Sequence, residues 1–393
     1  MSPVRAEIVV DLGAIRANIR RLRDLVGPQT AMMTVVKADG YGHGMVASAR
    51  AARQAGAQWL GVATIDEALT LREAGDTGRV LSWLTVPGED YAAAVEQDLD
   101  LTAYTTAELD GIGQGAWAAG RPASVQLKVD TGLSRGGATA EAWPRLVEAA
   151  RAAELAGKIR VTGIWSHFAC SDEPEHPAND RQERAFRAAL GVAEAAGLRP
   201  EVRHLANSAA AILRPSSRFD LVRCGIASYG LDPAPGHTDH VGLVPAMTLR
   251  AALAVTKQIR AGDGVSYGHT WVAEHDTTVG VVPAGYGEGI PRHASDTAEV
   301  WIAGRRRPVR GRICMDQFVV DLGGDDLAPG TDVVLFGTGY DGEPTAQDWA
   351  EACSTINYEI VTRLGGRLGR RYLERHLDPL VDRPVGTAEG VTG

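Results

Sequence analysis

The feature that most constrains the fold is a regular alternation of short apolar runs and longer helical stretches between Asp11 and about residue 230. Such an alternation is typical of parallel strands covered by helices. Eight apolar runs predict strands at 32–37, 59–63, 80–84, 99–104, 125–130, 160–167, 202–206 and 220–224. Eight strands with their helices fit a (β/α)8 barrel, whose usual size is roughly 250 residues. A doubly wound open sheet has the same periodicity, so the alternation alone does not distinguish the two folds.

The pattern changes after a Pro- and Gly-containing stretch that ends near Pro245. Beyond it, short β-rich runs are separated by Gly, Asp and Pro, which predicts a mostly β domain. We therefore expect an α/β fold, a (β/α)8 TIM barrel over residues 11–238, followed by a β-rich C-terminal domain over 239–378. A strand within residues 1–10 could pair with either domain, and residues 379–393 are expected to form a flexible tail.

Composition excludes several classes of protein. The formal net charge of −9 argues against a nucleic-acid or anionic-membrane surface. The one basic run, Arg305-Arg306-Arg307, is most simply a solvated turn. Four scattered cysteines suggest neither a disulfide framework nor a zinc site, and no window has the length and apolarity of a membrane span. Because the N-terminus also lacks the apolar core of a signal peptide, we expect a cytoplasmic protein without a metal centre.

The first apolar run ends on Lys37 and leads into a glycine-rich turn, after which a helix is expected to begin near His43. A lysine in this position has its stem in a packed core and its amine at the mouth of a pocket. Desolvation there favours the neutral amine, which is the form that condenses with a carbonyl. Only four of the 40 basic residues are lysines, and arginine, unlike lysine, cannot lose its proton. Lys37 is therefore predicted to hold a cofactor aldehyde.

Other polar side chains lie at or just after the ends of the later predicted strands, which is where barrel enzymes carry their active sites. They are Lys128, Arg135, His167, Asn207, Ser208 and Arg223. Each has a simpler interpretation when taken alone. His167 could be a satisfied core histidine, and Lys128 could form an ion pair with Asp130.

The loops after the last two barrel strands suit a phosphate ester. Ser208 opens a predicted helix, and Gly225 lets the backbone approach a ligand closely. A plain N-cap and a plain turn explain the same residues. Combined with Lys37, however, they predict a ligand with both an aldehyde and a phosphate, and pyridoxal 5′-phosphate is such a ligand.

Seven motifs together resemble those of the alanine racemase family, and they occur in the family's order. The motifs are Val36-Lys37-Ala38-Asp39-Gly40-Tyr41-Gly42-His43-Gly44, Lys128 to Arg135, Asn207-Ser208, Arg223 to Ile226, Val265 to Gly268, Gly311 to Asp316 and Thr355 to Tyr358. The resemblance implies a barrel followed by a β domain, and it implies an isomerase that interconverts L- and D-alanine. Such an enzyme would supply D-alanine for peptidoglycan.

The resemblance also implies roles for individual residues. Lys37 would bind the cofactor aldehyde and act as a base on one face of the substrate, whereas Tyr267 would serve the opposite face from the other subunit of a homodimer. The cofactor-binding residues would be Lys37, Tyr41, His167, Asn207, Ser208, Arg223, Gly225, Ile226 and Tyr358. Arg135 and Met315 would bind the substrate, and Lys128, Tyr286, Cys314 and Asp316 would support the site. Lys128 matches a lysine that the family often carries as a carbamate.

Two alternatives remain at this point. One is a racemase of serine or of broader range, or a barrel-type amino-acid decarboxylase. The other is a cofactor-carrying barrel protein without catalysis, which would resemble only the barrel half of this chain. The segment Gly285-Tyr286-Gly287-Glu288-Gly289 departs from the family's commoner Gly-Tyr-Ala-Asp-Gly and puts the substrate range in doubt.

Overall fold

The computed structural model describes residues 5–375, and these fall into two compact units. One unit is Asn18–Leu243, and the other combines the described residues before Asn18 with those after Leu243. The predicted tail at 379–393 lies outside the described residues. The division at Leu243 is five residues beyond the predicted boundary at 238.

Nineteen strands and eleven helices occur among residues 5–375, besides six short 3-10 helices. The strands are β1 (Ala6–Asp11), β2 (Ala31–Val35), β3 (Trp59–Val62), β4 (Arg79–Ser82), β5 (Asp100–Ala103), β6 (Ala123–Lys128), β7 (Ile159–Trp165), β8 (Val202–His204), β9 (Leu221–Cys224), β10 (Met247–Ala252), β11 (Val255–Ile259), β12 (Gly264–Val265), β13 (Trp271–Val272), β14 (Thr277–Val282), β15 (Glu299–Ile302), β16 (Arg305–Arg310), β17 (Phe318–Gly323), β18 (Asp332–Phe336) and β19 (Gly369–Leu373). The helices are α1 (Leu12–Val26), α2 (Lys37–Tyr41), α3 (Met45–Gln54), α4 (Ile65–Glu73), α5 (Tyr91–Glu96), α6 (Thr106–Ala118), α7 (Trp143–Leu155), α8 (Ala178–Ala195), α9 (Ser208–Leu213), α10 (Ala346–Ala352) and α11 (Asn357–Thr362).

The unit Asn18–Leu243 is a parallel (β/α)8 barrel, which confirms the predicted fold and excludes the open sheet. Its ladders run in the order β8-β7-β6-β5-β4-β3-β2-β9. Backbone hydrogen bonds from Asp220 N to Arg203 O and from Arg223 N to Ala206 O, each 3.0 Å, connect the last strand to the segment of β8. Most residues of these strands are buried, whether they face the inside or the outside of the barrel. This is expected when helices cover the outside and side chains fill the inside.

The second unit is built around a nine-stranded sheet in the order β11-β14-β17-β16-β15-β18-β10-β1-β19. The N-terminal strand β1 lies in this sheet, antiparallel to β10 and parallel to β19, which answers the question that the sequence left open. Inward and outward residues alternate along β17, so this sheet buries one face.

The prediction of a solvated turn at Arg305-Arg306-Arg307 is wrong. These residues begin β16, and Arg307 is only 8% exposed. Its guanidinium donates to the Leu322 carbonyl oxygen at 2.7 Å and pairs with Asp325. Sequence proximity to Gly304 and Pro308 suggested a loop, but the cross-strand partners that accept these hydrogen bonds lie in β17 and just after it.

Candidate active site

Lys37 lies at the carboxyl end of the first barrel strand. Strand β2 ends at Val35, two residues earlier than predicted, so Lys37 stands just past the strand and is half-buried. Its amine lies 5.8 Å from the centre of the Trp83 ring. Desolvation lowers the pKa of Lys37, the Arg135 cation lowers it further, and Glu67 opposes both. These effects favour the neutral amine that the sequence analysis predicted.

The backbone after Lys37 is a left-handed turn. Ala38, Asp39 and Tyr41 have φ of 53° and Gly40 has φ of 63°, so the short helix α2 has the hand opposite to an ordinary one. The next right-handed helix, α3, begins at Met45, two residues after His43, as the sequence predicted to within that margin. Left-handed residues other than glycine cost about 1–2 kcal/mol each, so the surroundings must hold this turn in place.

Glu67 is one of the groups that hold the turn. One carboxylate oxygen accepts from the Ala38 backbone N at 2.7 Å, and the other accepts from the backbone N of Ala63 at 2.7 Å. Glu67 also forms a capping box with Thr64 at the start of α4. Glu67 was not among the site residues predicted from the sequence. The Thr64-x-x-Glu67 pattern predicts a helix start, but nothing in it predicts the contact with Ala38.

Lys128, at the end of β6, lies against aromatic rings inside the barrel. Its amine is 4.4 Å from the Trp165 ring centre and 5.1 Å from that of Tyr104. Burial, Arg223 and Arg135 lower the pKa of Lys128 to about 8. Among the described residues no ion pair joins Asp130 to this amine, and one Asp130 oxygen accepts three backbone N–H groups of the following turn.

Arg223 and His167 meet inside the barrel. The Arg223 guanidinium donates to His167 Nδ1 at 3.0 Å, to the Ser166 carbonyl oxygen at 2.8 Å and to His204 Nδ1 at 2.9 Å. Burial lowers the pKa of Arg223 to about 9, so the side chain remains charged at neutral pH. Burial and the neighbouring Arg223 cation lower the pKa of His167 well below its ordinary value, so His167 is neutral.

The residues predicted to bind a phosphate lie close together at one end of the barrel. Ser208 Oγ accepts from the backbone N of Gly225 at 3.0 Å, and Asn207 caps α9 by accepting from Ala210 N at 3.1 Å. A β-carbon at Gly225 would approach the Tyr41 hydroxyl to 2.3 Å, so only glycine lets this tyrosine lie over the loop. Tyr41, Ser208, Gly225 and Ile226 are all buried at this end of the barrel.

A separate cluster gathers the remaining motifs in the β-rich unit. Ser266 Oγ donates to the Arg312 carbonyl oxygen at 2.6 Å and lies 3.4 Å from Cys314 Sγ, which places the Tyr267 loop beside the Cys314-Met315 segment. Tyr286 N donates to the Cys314 carbonyl oxygen at 3.0 Å. Tyr267, Met315 and Tyr286 are 70%, 55% and 43% exposed.

An ion-pair network supports this cluster. Glu288 is buried, accepts from Gly285 N at 2.9 Å and pairs with Arg367, which also pairs with Asp316 at 2.5 Å. The glutamate that departs from the family's commoner aspartate thus has a structural role here. Tyr358 belongs to the same unit, in the first turn of α11.

The structure therefore brings the predicted residues together in two groups. Lys37, Tyr41, Lys128, Arg135, His167, Asn207, Ser208, Arg223, Gly225 and Ile226 belong to the barrel unit, and Tyr267, Tyr286, Cys314, Met315, Asp316 and Tyr358 belong to the β-rich unit. Within residues 5–375, no group of three or more His, Cys, Asp or Glu side chains is placed to hold a metal ion. No helix in the same range is both long and apolar enough to cross a membrane.

Comparison with known proteins covers almost the whole chain. The family model described as "Alanine racemase, N-terminal domain" matches residues 10–233, and "Alanine racemase, C-terminal domain" matches 246–372. The second match argues against a protein that resembles only the barrel half. The alanine racemase of Salinispora arenicola is 54% identical over 369 residues, which is 94% of this chain and 98% of that protein.

Solved structures agree. The alanine racemase of Streptomyces lavendulae superposes with a TM-score of 0.94 at 52% identity, covering 95% of this chain and 98% of the other. That of Streptomyces coelicolor gives a TM-score of 0.93 at 53% identity, covering 94% and 98%. Both identities and both coverages are far above what a shared fold alone would produce. The chain therefore belongs to the alanine racemase family and is an amino-acid racemase.

Proposed function

We propose that this racemase uses pyridoxal 5′-phosphate to interconvert L- and D-alanine by a two-base mechanism. Lys37 would act on one face of the substrate, and Tyr267 of a second copy of the chain would act on the other. The single observation that carries the proposal is the half-buried Lys37 amine at the carboxyl end of β2. Burial and the Arg135 cation both lower the pKa of this amine.

The barrel residues fit the proposed cofactor. Lys37 offers an amine with a lowered pKa to the aldehyde, while Ser208, Tyr41 and the close backbone of Gly225 suit the phosphate. Arg223 offers a buried donor to the ring nitrogen. When bound, the cofactor would supply the electron sink that makes the substrate Cα–H bond acidic enough to break.

Two proton-transferring groups are needed because racemisation removes a proton from one side of Cα and returns one to the other. A single base tends to return the proton to the face from which it came. The Nζ atom of Lys37 and the phenolic oxygen of Tyr267 can each accept or donate a proton, so together they serve both directions of the reaction. Tyr267 is 70% exposed in the single chain, which leaves it available to another copy.

Arg223 would limit side reactions. A guanidinium is a donor only and keeps its proton, so it leaves a neighbouring ring nitrogen unprotonated. The electron sink is then weaker, and charge that develops at Cα is less able to spread into the ring. His167, held neutral beside Arg223, accepts one of its N–H groups and fixes its direction.

Arg135 and Met315 would bind the substrate carboxylate, with Lys128, Tyr286, Cys314 and Asp316 in supporting positions and Asn207, Ile226 and Tyr358 beside the phosphate. We further propose that the enzyme supplies D-alanine for peptidoglycan and works in the cytoplasm. All four cysteines are free, which suits a reducing compartment.

The test is to incubate the protein with pyridoxal phosphate, reduce it with borohydride and identify the labelled peptide. We expect the label on Lys37 and its loss in Lys37→Arg, whereas Lys158→Arg should keep it because Lys158 is exposed on the surface. A label elsewhere would refute the role of Lys37.

In deuterated water, both alanine enantiomers should acquire deuterium at Cα. Tyr267→Phe should still bind the cofactor but should lose exchange in at least one direction. Serine, measured in parallel, tests the broader substrate range. Unimpaired turnover of both enantiomers by Tyr267→Phe would contradict the two-base mechanism.

A further inference from the structure

Arg223 is a buried cation with unusual surroundings. It is 4% exposed, and none of the ion pairs among the described residues includes it. Its hydrogen-bond partners are two backbone carbonyl oxygens and two histidine rings, and its guanidinium lies 4.8 Å from the Trp165 ring centre. Burying a charge without a carboxylate is costly, so another feature of the barrel must offset the charge.

A continuous chain of hydrogen bonds leads from Arg223 through the barrel interior to a buried carboxylate. Arg223 Nη1 lies 2.9 Å from His204 Nδ1, His204 Nε2 lies 2.7 Å from Gln126 Oε1, and Gln126 Nε2 lies 3.4 Å from Asp100 Oδ1. His204, Gln126 and Asp100 are each no more than 1% exposed. Arg79 binds Asp100 from the other side through two nitrogens, at 2.9 and 3.0 Å.

The direction of every link is fixed by chemistry. A guanidinium only donates, so His204 Nδ1 must accept and the neutral ring must carry its proton on Nε2. Nε2 then donates to the Gln126 oxygen, which turns the Gln126 amide nitrogen towards Asp100. Because a carboxylate only accepts, the Asp100 end permits the same orientation and no other.

The barrel is shaped around this chain. Gly163 pairs with Gln126 in the β6–β7 ladder, and a β-carbon there would approach Gln126 Oε1 to 2.7 Å. The His204 ring stacks on Trp165 at 5.6 Å with an interplanar angle of 4°. Burial and Arg223 lower the pKa of His204 well below its ordinary value, in agreement with a neutral ring.

We propose that Asp100, Gln126 and His204 are positioning residues that hold the Arg223 guanidinium charged and correctly oriented from the opposite end of the barrel. Asp100, which also pairs with Arg79, is the anion at the far end of this hydrogen-bond chain, and Gln126 and His204 are aligned dipoles between it and Arg223. Hydrogen bonds in such a chain polarise one another in a low-dielectric interior. The catalytic consequence of this inference rests on the proposed function, whereas the hydrogen-bond chain itself does not depend on it.

The direct test is nitrogen NMR of the full-length protein with 15N-labelled histidine, recorded without cofactor or alanine. We expect His204, assigned by its loss in His204→Gln, to carry its proton on Nε2 and none on Nδ1 at neutral pH. A proton on Nδ1, or on both nitrogens, would overturn the inference. This outcome is independent of racemase activity, so a failure of the hydrogen-bond chain can be distinguished from a failure of the proposed function.

A matched pair of variants tests the consequence. Gln126→Met keeps the approximate volume but removes the acceptor, so the His204 Nε2 resonance should shift and kcat should fall about tenfold, as for one lost hydrogen bond, with little change in KM. Thr102→Val removes a buried hydroxyl from the strand that carries Asp100 and should change neither. If Gln126→Met has an unchanged His204 resonance or an unchanged kcat, the positioning role is refuted. If this variant does not fold, the position of the His204 proton in the unmutated protein decides the question.

Discussion

At the residue scale, the barrel site is a group of neighbouring cations at different depths. Lys128 and Arg223 are buried, Lys37 is half-buried and Arg135 is exposed. Lys37, Lys128 and Arg135 influence one another, and Arg223 adds a fourth positive charge. Desolvation and repulsion from neighbouring cations lower the pKa of both lysines, which favours their neutral, nucleophilic amines. The two lysine amines lie over aromatic faces, whose cation–π attraction stabilises their charged forms. The rings are those of Trp83, Tyr104 and Trp165. None of these three rings was predicted from the sequence as part of the site.

Removing the Arg135 cation should raise the pKa of Lys37. Lys37 loses its proton as pH rises through its lowered pKa, so a neighbouring positive charge widens the range in which the amine is neutral. In Arg135→Gln, the pH at which Lys37 reacts with an amine-specific reagent should therefore move upwards. Mass spectrometry of the modified peptide in cofactor-free protein measures this, with exposed Lys158 as the internal reference.

The control is Arg145→Gln, which removes an exposed arginine from α7. It should leave the reactivity profile of Lys37 unchanged. An unchanged profile in Arg135→Gln would show that desolvation alone sets the pKa of Lys37.

At the element scale, the left-handed turn α2 decides where Lys37 stands. Its cost is offset by specific hydrogen bonds: Met45 N donates to Asp39 at 2.8 Å, and Ala38 N donates to Glu67 at 2.7 Å. His43 is fully buried beneath the turn and stacks on Tyr229 at 4.5 Å. The glycines of the motif thus have a physical reason, because the backbone must enter a left-handed conformation after Lys37 and return to a right-handed one at Met45.

Glu67→Ala should loosen this turn. It leaves the Ala38 and Ala63 N–H groups without their charged acceptor, so we expect the free energy of unfolding to fall by about 2 kcal/mol. Amide exchange at Ala38 should also accelerate, by about tenfold or more for the loss of such a bond. Hydrogen exchange with mass spectrometry and urea titration measure the two effects.

Thr64→Ala is the matched control, since it removes the cap of α4 but keeps the bond from Ala38 to Glu67. It should lower the free energy of unfolding by about 1 kcal/mol and leave exchange at Ala38 unchanged. Equal exchange at Ala38 in the two variants would contradict a specific role for Glu67.

At the scale of the whole molecule, the two proposed bases belong to different units. Lys37 stands at a barrel strand end, and Tyr267 stands in a loop of the β-rich unit beside exposed Met315 and Tyr286. Exposed large apolar side chains in one cluster are typical of surfaces that another molecule covers. The proposed homodimer would give this exposure a function.

Mixed variants test the shared site. Lys37→Ala and Tyr267→Phe should each be inactive in racemisation, but a hybrid of the two has one site with both wild-type groups. After subunit exchange in an equal mixture, activity should recover to about a quarter of the wild-type value, as expected for random pairing in a two-fold dimer. Persistent inactivity, with exchange shown by mass spectrometry of tagged chains, would argue that each chain supplies both bases.

The sequence by itself determined the fold class, and it supplied the residues that we propose carry the chemistry. Eight apolar runs at helix-separated spacing predicted parallel strands covered by helices, because periodicity is a local property of the chain, whereas the structure decided that the sheet closes into a barrel. The comparisons confirmed the family that the Lys37 motif and its companions indicated.

Only the tertiary structure decided how these residues are held. Three features depend on side chains that are distant in sequence: the left-handed conformation of α2, the hydrogen bond from Ala38 to Glu67, and the hydrogen-bond chain from Arg223 to Asp100. No local pattern encodes which donor meets which acceptor. The same reason explains the error at Arg307, whose partners come from a neighbouring strand and the turn after it. Residue types and their order are written locally, whereas hydrogen-bond partners and burial follow from how the strands close.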